Sequence, residues 1–96
     1  MKNFLIFRYN KTEKSLDLFS ILNGNSFDSL RRKINKEIEN DIYYLPSYKS
    51  CSISLTTGIP HKCDNFIEHR IYAFVNPPYS KTIILDYIIR EVQERN

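Results

Sequence analysis

Four segments of the chain have the side-chain pattern of β-strands, because they are rich in β-branched and aromatic residues or alternate between apolar and polar positions. They are residues 3–9, 15–22, 50–57 and 66–75. The polar residues 10–14 between the first two segments are typical of a hairpin loop. For the second segment a short helix is an alternative, since Leu18, Ile21 and Leu22 also fit a helical spacing.

Two further segments repeat their apolar residues at the helical spacing of three and four. The first, residues 27–39, follows Ser26, whose side chain can cap the backbone amides of a helix start. The second, residues 81–94, follows Pro77 and Pro78, a pair that ends a strand and can precede a helix. The order strand, strand, helix, strand, strand, helix predicts an α+β fold. We expect a small antiparallel sheet of about four strands with both helices packed on one face.

The length and composition fit one domain that spans residues 1–96. The chain is 42% hydrophobic and 26% charged, which is typical of a folded globular protein. The apolar residues after Lys2 are too few for an export signal, and no apolar run approaches the ~20 residues of a membrane span. The two cysteines, Cys51 and Cys63, are too few for a disulfide scaffold. We therefore expect a cytoplasmic protein with no membrane contact.

Basic residues are concentrated in the first third of the chain. The net charge is +3, but residues 1–36 carry eight Lys and Arg against three Asp and Glu, whereas residues 37–96 carry six against eight. Four of the cations lie on the first helix: Arg31, Arg32, Lys33 and Lys36. The last three of these fall opposite the apolar stripe. They form either a solvated helix face or a surface that binds nucleic acid or an acidic partner.

Two groups of apolar and aromatic residues are candidates for contacting a partner protein. Tyr43 and Tyr44 belong to the tyrosine-rich residues 41–48, which we expect to form a loop or a short edge strand. Tyrosine combines a large contact area with a hydrogen-bonding hydroxyl, and it is enriched at interfaces for that reason. Ile83 and Tyr87 lie outside the apolar arc of the second helix. This pair suggests a partner contact, or a homodimer formed through the C-terminal helix.

The residues Asn76-Pro77-Pro78-Tyr79 come directly after an apolar strand. This sequence resembles a motif of adenine-specific amino-methyltransferases, in which the Asn holds the amine and the Tyr stacks on the flipped base. The resemblance would imply a methyl-donor cofactor, which needs a Gly-rich turn for close backbone approach. The two glycines of this chain, Gly24 and Gly58, do not form such a turn. We therefore interpret the motif as the end of a strand and expect no cofactor.

Four residues could supply zinc ligands: Cys51, His61, Cys63 and His69. Their spacing lacks the Cys-x-x-Cys pair of zinc fingers. Cys51 also lies on the apolar face of its strand, where a cysteine usually behaves as a small hydrophobic residue. We therefore expect no metal site.

The run Glu68-His69-Arg70 contains the residue types of a metal-independent ribonuclease. Neighbours along a strand point to opposite sides, so Glu68 and Arg70 share a face from which His69 is absent. The catalytic base would have to come from His61 in a loop. A small ribonuclease is therefore the weakest of the functional hypotheses.

No catalytic arrangement stands out, so the primary hypothesis is a small non-enzymatic binding protein that occupies a surface on a larger protein or nucleoprotein. The abundance of Ile, Asn and Lys, with Ala73 as the single alanine, fits the A- and T-rich codons of a low-GC bacterium or its phages and plasmids. Inhibitors that mobile elements use against host defence, including anti-CRISPR-type inhibitors, fit this size and composition. The alternative is a DNA- or RNA-binding module that uses the basic first helix.

Overall fold

The computed structural model describes residues 1–93, which form one antiparallel sheet with a single long helix packed on it. The strands are β1 (Lys2–Asn10), β2 (Ser15–Gly24), β3 (Ser52–Thr57), β4 (His61–Lys62), β5 (Ile67–Asn76) and β6 (Ile83–Gln93). The helix is α1 (Phe27–Tyr43), and a 3-10 turn follows at Pro46–Tyr48. The strand order is β2-β1-β6-β5-β3, and the short β4 also pairs with β5. No helix among residues 1–93 is long and apolar enough to cross a membrane.

The prediction of four strands and two helices is wrong, because residues 1–93 form six strands and only one α-helix. The segment expected to be the second helix, residues 81–94, is strand β6 from Ile83 to Gln93, and residue 94 lies outside the described residues. β6 is the central strand, hydrogen-bonded to β1 on one side and to β5 on the other. It carries apolar residues on both faces of the sheet, and the nearly continuous apolar run that results also matches a helical spacing.

The other predicted elements are present with shifted ends. β1, β2, β3 and β5 correspond to the four expected strands, so residues 15–22 belong to a strand rather than to a short helix. α1 continues to Tyr43, beyond its predicted end at residue 39. The helix continues because Ile42 lies four residues after Ile38 and extends the buried stripe by one turn.

α1 packs its apolar side against one face of the sheet, which we call the helix side. The buried residues of α1 are Phe27, Ile34, Ile38 and Ile42. They share one core cluster with buried residues of the central strands: Phe4, Ile6, Ile71, Ala73, Val75, Tyr87 and Ile89. Alternate residues of the strands point the other way. We call this second side of the sheet, on which no helix of residues 1–93 packs, the open face.

A β-bulge in β2 brings one more aromatic side chain to the helix side. The register of the β1–β2 pair shifts between Ile6 and Phe7, so Phe19 has no partner opposite it on β1. Phe19 packs edge to face on Tyr87, with the ring centroids 5.6 Å apart. The bulge therefore lets Phe19 help to close the core while its neighbour Leu18 points to the open face.

Candidate binding surface on the helix

A reciprocal cap fixes the start of α1. The Ser26 hydroxyl accepts a hydrogen bond from the Ser29 backbone N–H at 3.1 Å, and the Ser29 hydroxyl accepts one from the Ser26 N–H at 3.2 Å. Asp28 places a negative charge near the positive end of the helix dipole. The predicted capping role of Ser26 is confirmed. The cap holds the first turn in place, and with it the direction of the side chains that follow.

The outer surface of α1, the side turned away from the core, carries exposed Glu39 together with five exposed cationic or tyrosine side chains: Arg32, Lys33, Lys36, Tyr43 and Tyr44. At 100° per residue, Arg32, Lys36 and Tyr43 lie within about 40° of one another, so they form a line along the helix. All five residues are exposed. Among residues 1–93, none of the three cations forms an ion pair with a carboxylate. Their charges are therefore accessible to a partner.

The fourth cation predicted for this surface, Arg31, points elsewhere. Its guanidinium donates a hydrogen bond to the Thr57 hydroxyl at 2.7 Å, and Thr57 ends strand β3 at one edge of the sheet. Arg31 lies beside the buried stripe of α1, which explains why its side chain reaches the sheet although it remains exposed. We therefore assign Arg31 a role in holding α1 over β3 and leave it out of the outer surface.

Tyr43 and Tyr44 lie at the C-terminal end of α1 rather than in a loop. Tyr43 is the last helical residue and is 52% exposed, whereas Tyr44 is the C-cap residue and is 87% exposed. Exposed tyrosines can give a partner both apolar contact area and a hydrogen-bonding hydroxyl. The structure thus joins two separately predicted groups, the basic residues and these tyrosines, on one helix.

A buried polar contact fixes the last turn of α1 on the sheet. One carboxylate oxygen of Asp41, Oδ2, accepts hydrogen bonds from the Arg8 guanidinium at 3.0 Å and from the Tyr87 hydroxyl at 2.8 Å. Arg8 lies on β1 and Tyr87 on β6. Burial, assisted by the bond to Asp41, raises the pKa of the Tyr87 phenol well above its ordinary value. This contact positions the tyrosine end of the outer surface.

Ile83 and Tyr87 do not form the surface that the sequence predicts for them. They lie on β6, so a homodimer through a C-terminal helix has no such helix among residues 1–93. Tyr87 has no exposed surface, because its ring belongs to the core and its hydroxyl binds Asp41. Ile83 is 36% exposed at the first position of the strand, opposite Val75 of β5. Neither residue therefore belongs to the candidate site.

Sequence reasoning missed the Asp41 contact, although two signals point to it. Arg8 is a charged residue inside an apolar strand, and such a residue needs a partner if its strand is covered. Asp41, the second signal, lies in the last turn of α1, where the negative end of the helix dipole disfavours a carboxylate. This signal appears only when the helix continues past its predicted end at residue 39. Each of these charges is unfavourable alone at its position, and an ion pair between Arg8 and Asp41 explains both positions. Neither signal identifies Tyr87 as the third member, because its position depends on β6 being a strand.

The Asn76-Pro77-Pro78-Tyr79 motif connects β5 to β6. β5 ends at Asn76, one residue beyond its predicted end, and a strand follows the turn instead of the predicted helix. The Asn76 side-chain oxygen accepts a hydrogen bond from the Thr82 hydroxyl at 2.7 Å across the turn. Tyr79 is fully exposed and has a φ of 66°, the left-handed conformation common in tight turns. The asparagine of the motif thus closes a turn in this chain.

His69 is a buried imidazole between α1 and β6. Its ring stacks on Phe27 with the centroids 4.0 Å apart, and its Nε2 lies 3.6 Å from Glu91 Oε2. Neither ring nitrogen has a hydrogen-bond partner among residues 1–93. Burial lowers the pKa of His69, although the nearby Glu91 carboxylate acts in the opposite direction. Glu91 is itself buried and lies 3.4 Å from the Lys2 ammonium.

The four candidate zinc ligands are not brought together. Cys51 packs against the core and His69 lies in it, whereas His61 is exposed on β4. Within residues 1–93 no three His, Cys, Asp or Glu side chains are grouped closely enough to hold a metal ion. The donor atoms of these residues therefore do not fit a zinc site.

The candidate ribonuclease residues are divided between the two sides of the sheet. Glu68 and Arg70 share the open face, where Arg70 Nε lies 3.4 Å from Glu68 Oε2. His69 points to the helix side and is 6% exposed. His69 therefore cannot act as a base together with Glu68. His61, the base named in the ribonuclease hypothesis, stands opposite Glu68 in the β4–β5 pair and is exposed on the open face.

Comparison with protein-family models, with curated protein sequences and with solved structures gives no significant match to this chain. The outer surface of α1 is therefore interpreted from its own chemistry.

Proposed function

We propose that this chain is a small non-enzymatic binding protein that uses the outer surface of α1 to occupy an acidic surface on another protein. The observation that carries the proposal is the line formed by Arg32, Lys36 and Tyr43, exposed on a helix that is capped at Ser26 and fixed at Asp41. Cations without intramolecular partners attract an acidic surface. Exposed tyrosines add apolar contact at low cost in side-chain entropy. A helix held at both ends loses little further freedom on binding.

The charge pattern favours a protein partner over a phosphate backbone. Glu37 and Glu39 lie on α1 among the cations of the outer surface, and Glu39 is exposed. A continuous row of phosphates would meet these carboxylates as like charges, whereas a protein surface of mixed charge can match both signs.

We propose that the protein acts as an inhibitor or an adaptor of the partner that it binds. Many inhibitors are single small domains that cover a surface of a larger protein or nucleoprotein. The anti-CRISPR type that mobile elements direct against host defence is one example. The support for this context is the length of 96 residues and the A- and T-rich codon usage that the composition indicates. Such an inhibitor would act in the cytoplasm.

The test is a capture experiment with charge-reversed bait. The triple variant Arg32→Glu, Lys33→Glu and Lys36→Glu removes three exposed cations that form no ion pair among residues 1–93, so the free energy of unfolding should change by less than about 1 kcal/mol. Bound protein captured from a low-GC bacterial lysate treated with nuclease should fall by more than about 30-fold, because attraction becomes repulsion. The matched control is Lys14→Glu, Lys62→Glu and Lys81→Glu, which makes the same change in net charge at exposed positions off α1.

The proposal is supported if the control keeps the captured protein and the α1 variant loses it. Equal losses in both variants would show that net charge alone drives the capture and would contradict a specific role for α1.

A second candidate function is nucleic-acid binding by the same helix. It is favoured by the same absence of ion pairs at Arg32, Lys33 and Lys36. In that case nuclease treatment should abolish the capture. Affinity for a DNA or RNA duplex should fall steeply with salt, and the triple variant should reduce that salt slope by about three phosphate contacts.

A further inference from the structure

The open face of the sheet carries an apolar patch beside four charged residues, Glu68, Arg70, Asp86 and Arg90. Its apolar side chains come from four strands: Leu5 and Phe7 of β1, Leu18 and Ile21 of β2, Tyr72 and Phe74 of β5, and Ile84 and Ile88 of β6. In the register of the sheet, Leu18, Phe7 and Ile88 stand side by side in one row. Leu18, Ile21 and Ile84 are 48%, 57% and 43% exposed. A contiguous patch of this kind marks an interaction surface.

The centre of the open face is already partly desolvated. Ile88 is only 6% exposed although it points away from α1. The Arg90 guanidinium lies 5.2 Å from the Phe7 ring centroid and 5.0 Å from that of Phe66, so it covers both rings. Arg90 Nε is buried and has no hydrogen-bond partner among residues 1–93.

The charges on the open face are balanced, in contrast to those on α1. Arg70 pairs with Glu68, which also stands opposite Arg90, and Asp86 lies 4.0 Å from the Lys11 ammonium. Tyr9, Arg70, Asp86 and Ile88 line a depression of about 270 Å³ on this face. A phosphate chain or a strongly acidic protein would need an excess of cations, which this face lacks. A surface that carries both signs can complement a second copy of itself when a two-fold axis places opposite charges against each other.

The size of the open face suits a second copy of the chain. Five strands are adjacent in the sheet, and four of them are 9 to 11 residues long. With strands about 4.8 Å apart and a rise of about 3.4 Å per residue, the face measures roughly 20 by 30 Å. Two such faces in contact would bury about 1,200 Å² in total, which is the lower limit for a specific interface. Two sheets can pack in this way about 10 Å apart, as in a β-sandwich.

We propose that the open face is the interface of a homodimer, in which two copies pack their sheets face to face. The basic residues of α1 lie on the far side of each sheet, so they do not repel one another across the interface. The dimer carries two outer surfaces of α1, one on each side. The proposal concerns a different surface from the proposed function, and neither depends on the other.

The mass of the protein in solution tests the proposal. Light scattering after size exclusion should give twice 11.5 kDa, about 23 kDa, at concentrations above a Kd in the micromolar range. The variant Leu18→Lys with Ile21→Lys places two like charges in each half of the interface and should raise that Kd by more than about 100-fold. The matched control is Ile59→Lys with Tyr79→Lys. It changes two apolar residues that are 90% and 106% exposed in loops, and it should remain a dimer.

A mass of 11.5 kDa for the wild type at 1 mM would overturn the proposal, and so would an unchanged dimer in the open-face variant. If that variant does not fold, Ile84→Lys on β6 tests the same face from a different strand. A dilution series of the wild type followed by NMR requires no substitution. The methyl signals of Leu18, Ile84 and Ile88 should shift together as the dimer dissociates. Shifts confined to residues outside the open face would refute it.

Discussion

α1 and β6 have the same apolar spacing but different structures, and the difference shows what spacing alone leaves open. Both segments place apolar residues three and four positions apart. α1 begins at a reciprocal serine cap and has charged or polar residues on its remaining surface. β6 has no such cap, is dense in β-branched residues, and carries apolar residues on both faces. The spacing of apolar residues shows which side chains need burial. Caps and composition decide whether the backbone buries them as a helix or as a strand.

The position of β6 in the sheet explains why it must be a strand. β1 and β5 are not adjacent, and each forms its hydrogen bonds to β6. If residues 83–93 were helical, the inner edges of β1 and β5 would lose those partners, and buried backbone groups without partners are costly. The need for a strand at β6 comes from β1 and β5, one of which is far away in the sequence. The local sequence pattern of residues 83–93 therefore does not reveal it. α1 faces no comparable demand, because its backbone bonds are internal.

The largest expected effect comes from a pair of matched substitutions, Ile38→Ala in α1 and Ile89→Ala in β6. Both side chains are fully buried in the same core, so each loss should cost about 2–5 kcal/mol in the free energy of unfolding. Alanine favours a helix over isoleucine by a few tenths of a kcal/mol, whereas it disfavours a strand. Ile89→Ala should therefore cost about 1 kcal/mol more than Ile38→Ala.

Urea unfolding followed by circular dichroism measures both values, and Ile59→Ala in an exposed loop is the control that should change little. Equal costs, or a larger cost in α1, would contradict the expected contribution of backbone propensity to the difference.

A smaller effect is expected where α1 and β6 meet, at Asp41. Asp41→Ala leaves the Arg8 guanidinium and the Tyr87 hydroxyl without their shared acceptor, and a buried donor without a partner costs about 1–3 kcal/mol. Tyr87→Phe is the conservative counterpart, because it removes the hydroxyl and leaves Asp41 bonded to Arg8. It should cost about 1 kcal/mol. Thermal unfolding of the two variants measures both costs. An Asp41→Ala variant as stable as the wild type would show that this contact does not hold the last turn of α1 on the sheet.

The parts of the structure that could be predicted are those determined by nearby residues. The Ser26 cap, the buried stripe of α1 and the period-two strands follow from local patterns, and so does the exposure of Arg32, Lys33 and Lys36 opposite that stripe. Tyr87 could not be placed, because its burial depends on the pairing of β6 with two distant strands. The open face escaped prediction for the same reason. Four strands contribute to it, and their order is not visible in the sequence.

The smallest expected effect is a pH dependence at His69, the second place where α1 and β6 approach each other. Four groups surround the imidazole: Phe27 and Asp28 of α1, Glu91 of β6 and Lys2 of β1. Burial lowers the pKa of His69 in the folded protein below its ordinary value of 6.5. Below pH 6.5 the unfolded chain therefore takes up a proton that the folded chain resists. The contribution of His69 to stability is complete above pH 6.5 and is lost as the pH falls, with a slope of at most about 1.4 kcal/mol per pH unit.

Urea unfolding between pH 7.5 and 5 should show this loss in the wild type. His69→Phe should remove most of it without a large cost at pH 7.5, because neither ring nitrogen has a hydrogen bond to lose and Phe can keep the stack on Phe27. His61→Gln, at an exposed histidine of β4, is the matched control and should retain the wild-type slope. If the slope persists in His69→Phe and disappears in His61→Gln, the buried pair of His69 and Glu91 is not its source. The stability of the contact between α1 and β6 at this end would then not depend on pH in this range. At the other contact, between Asp41 and Tyr87, the pKa of the phenol is raised, so stability is lost only above pH 10.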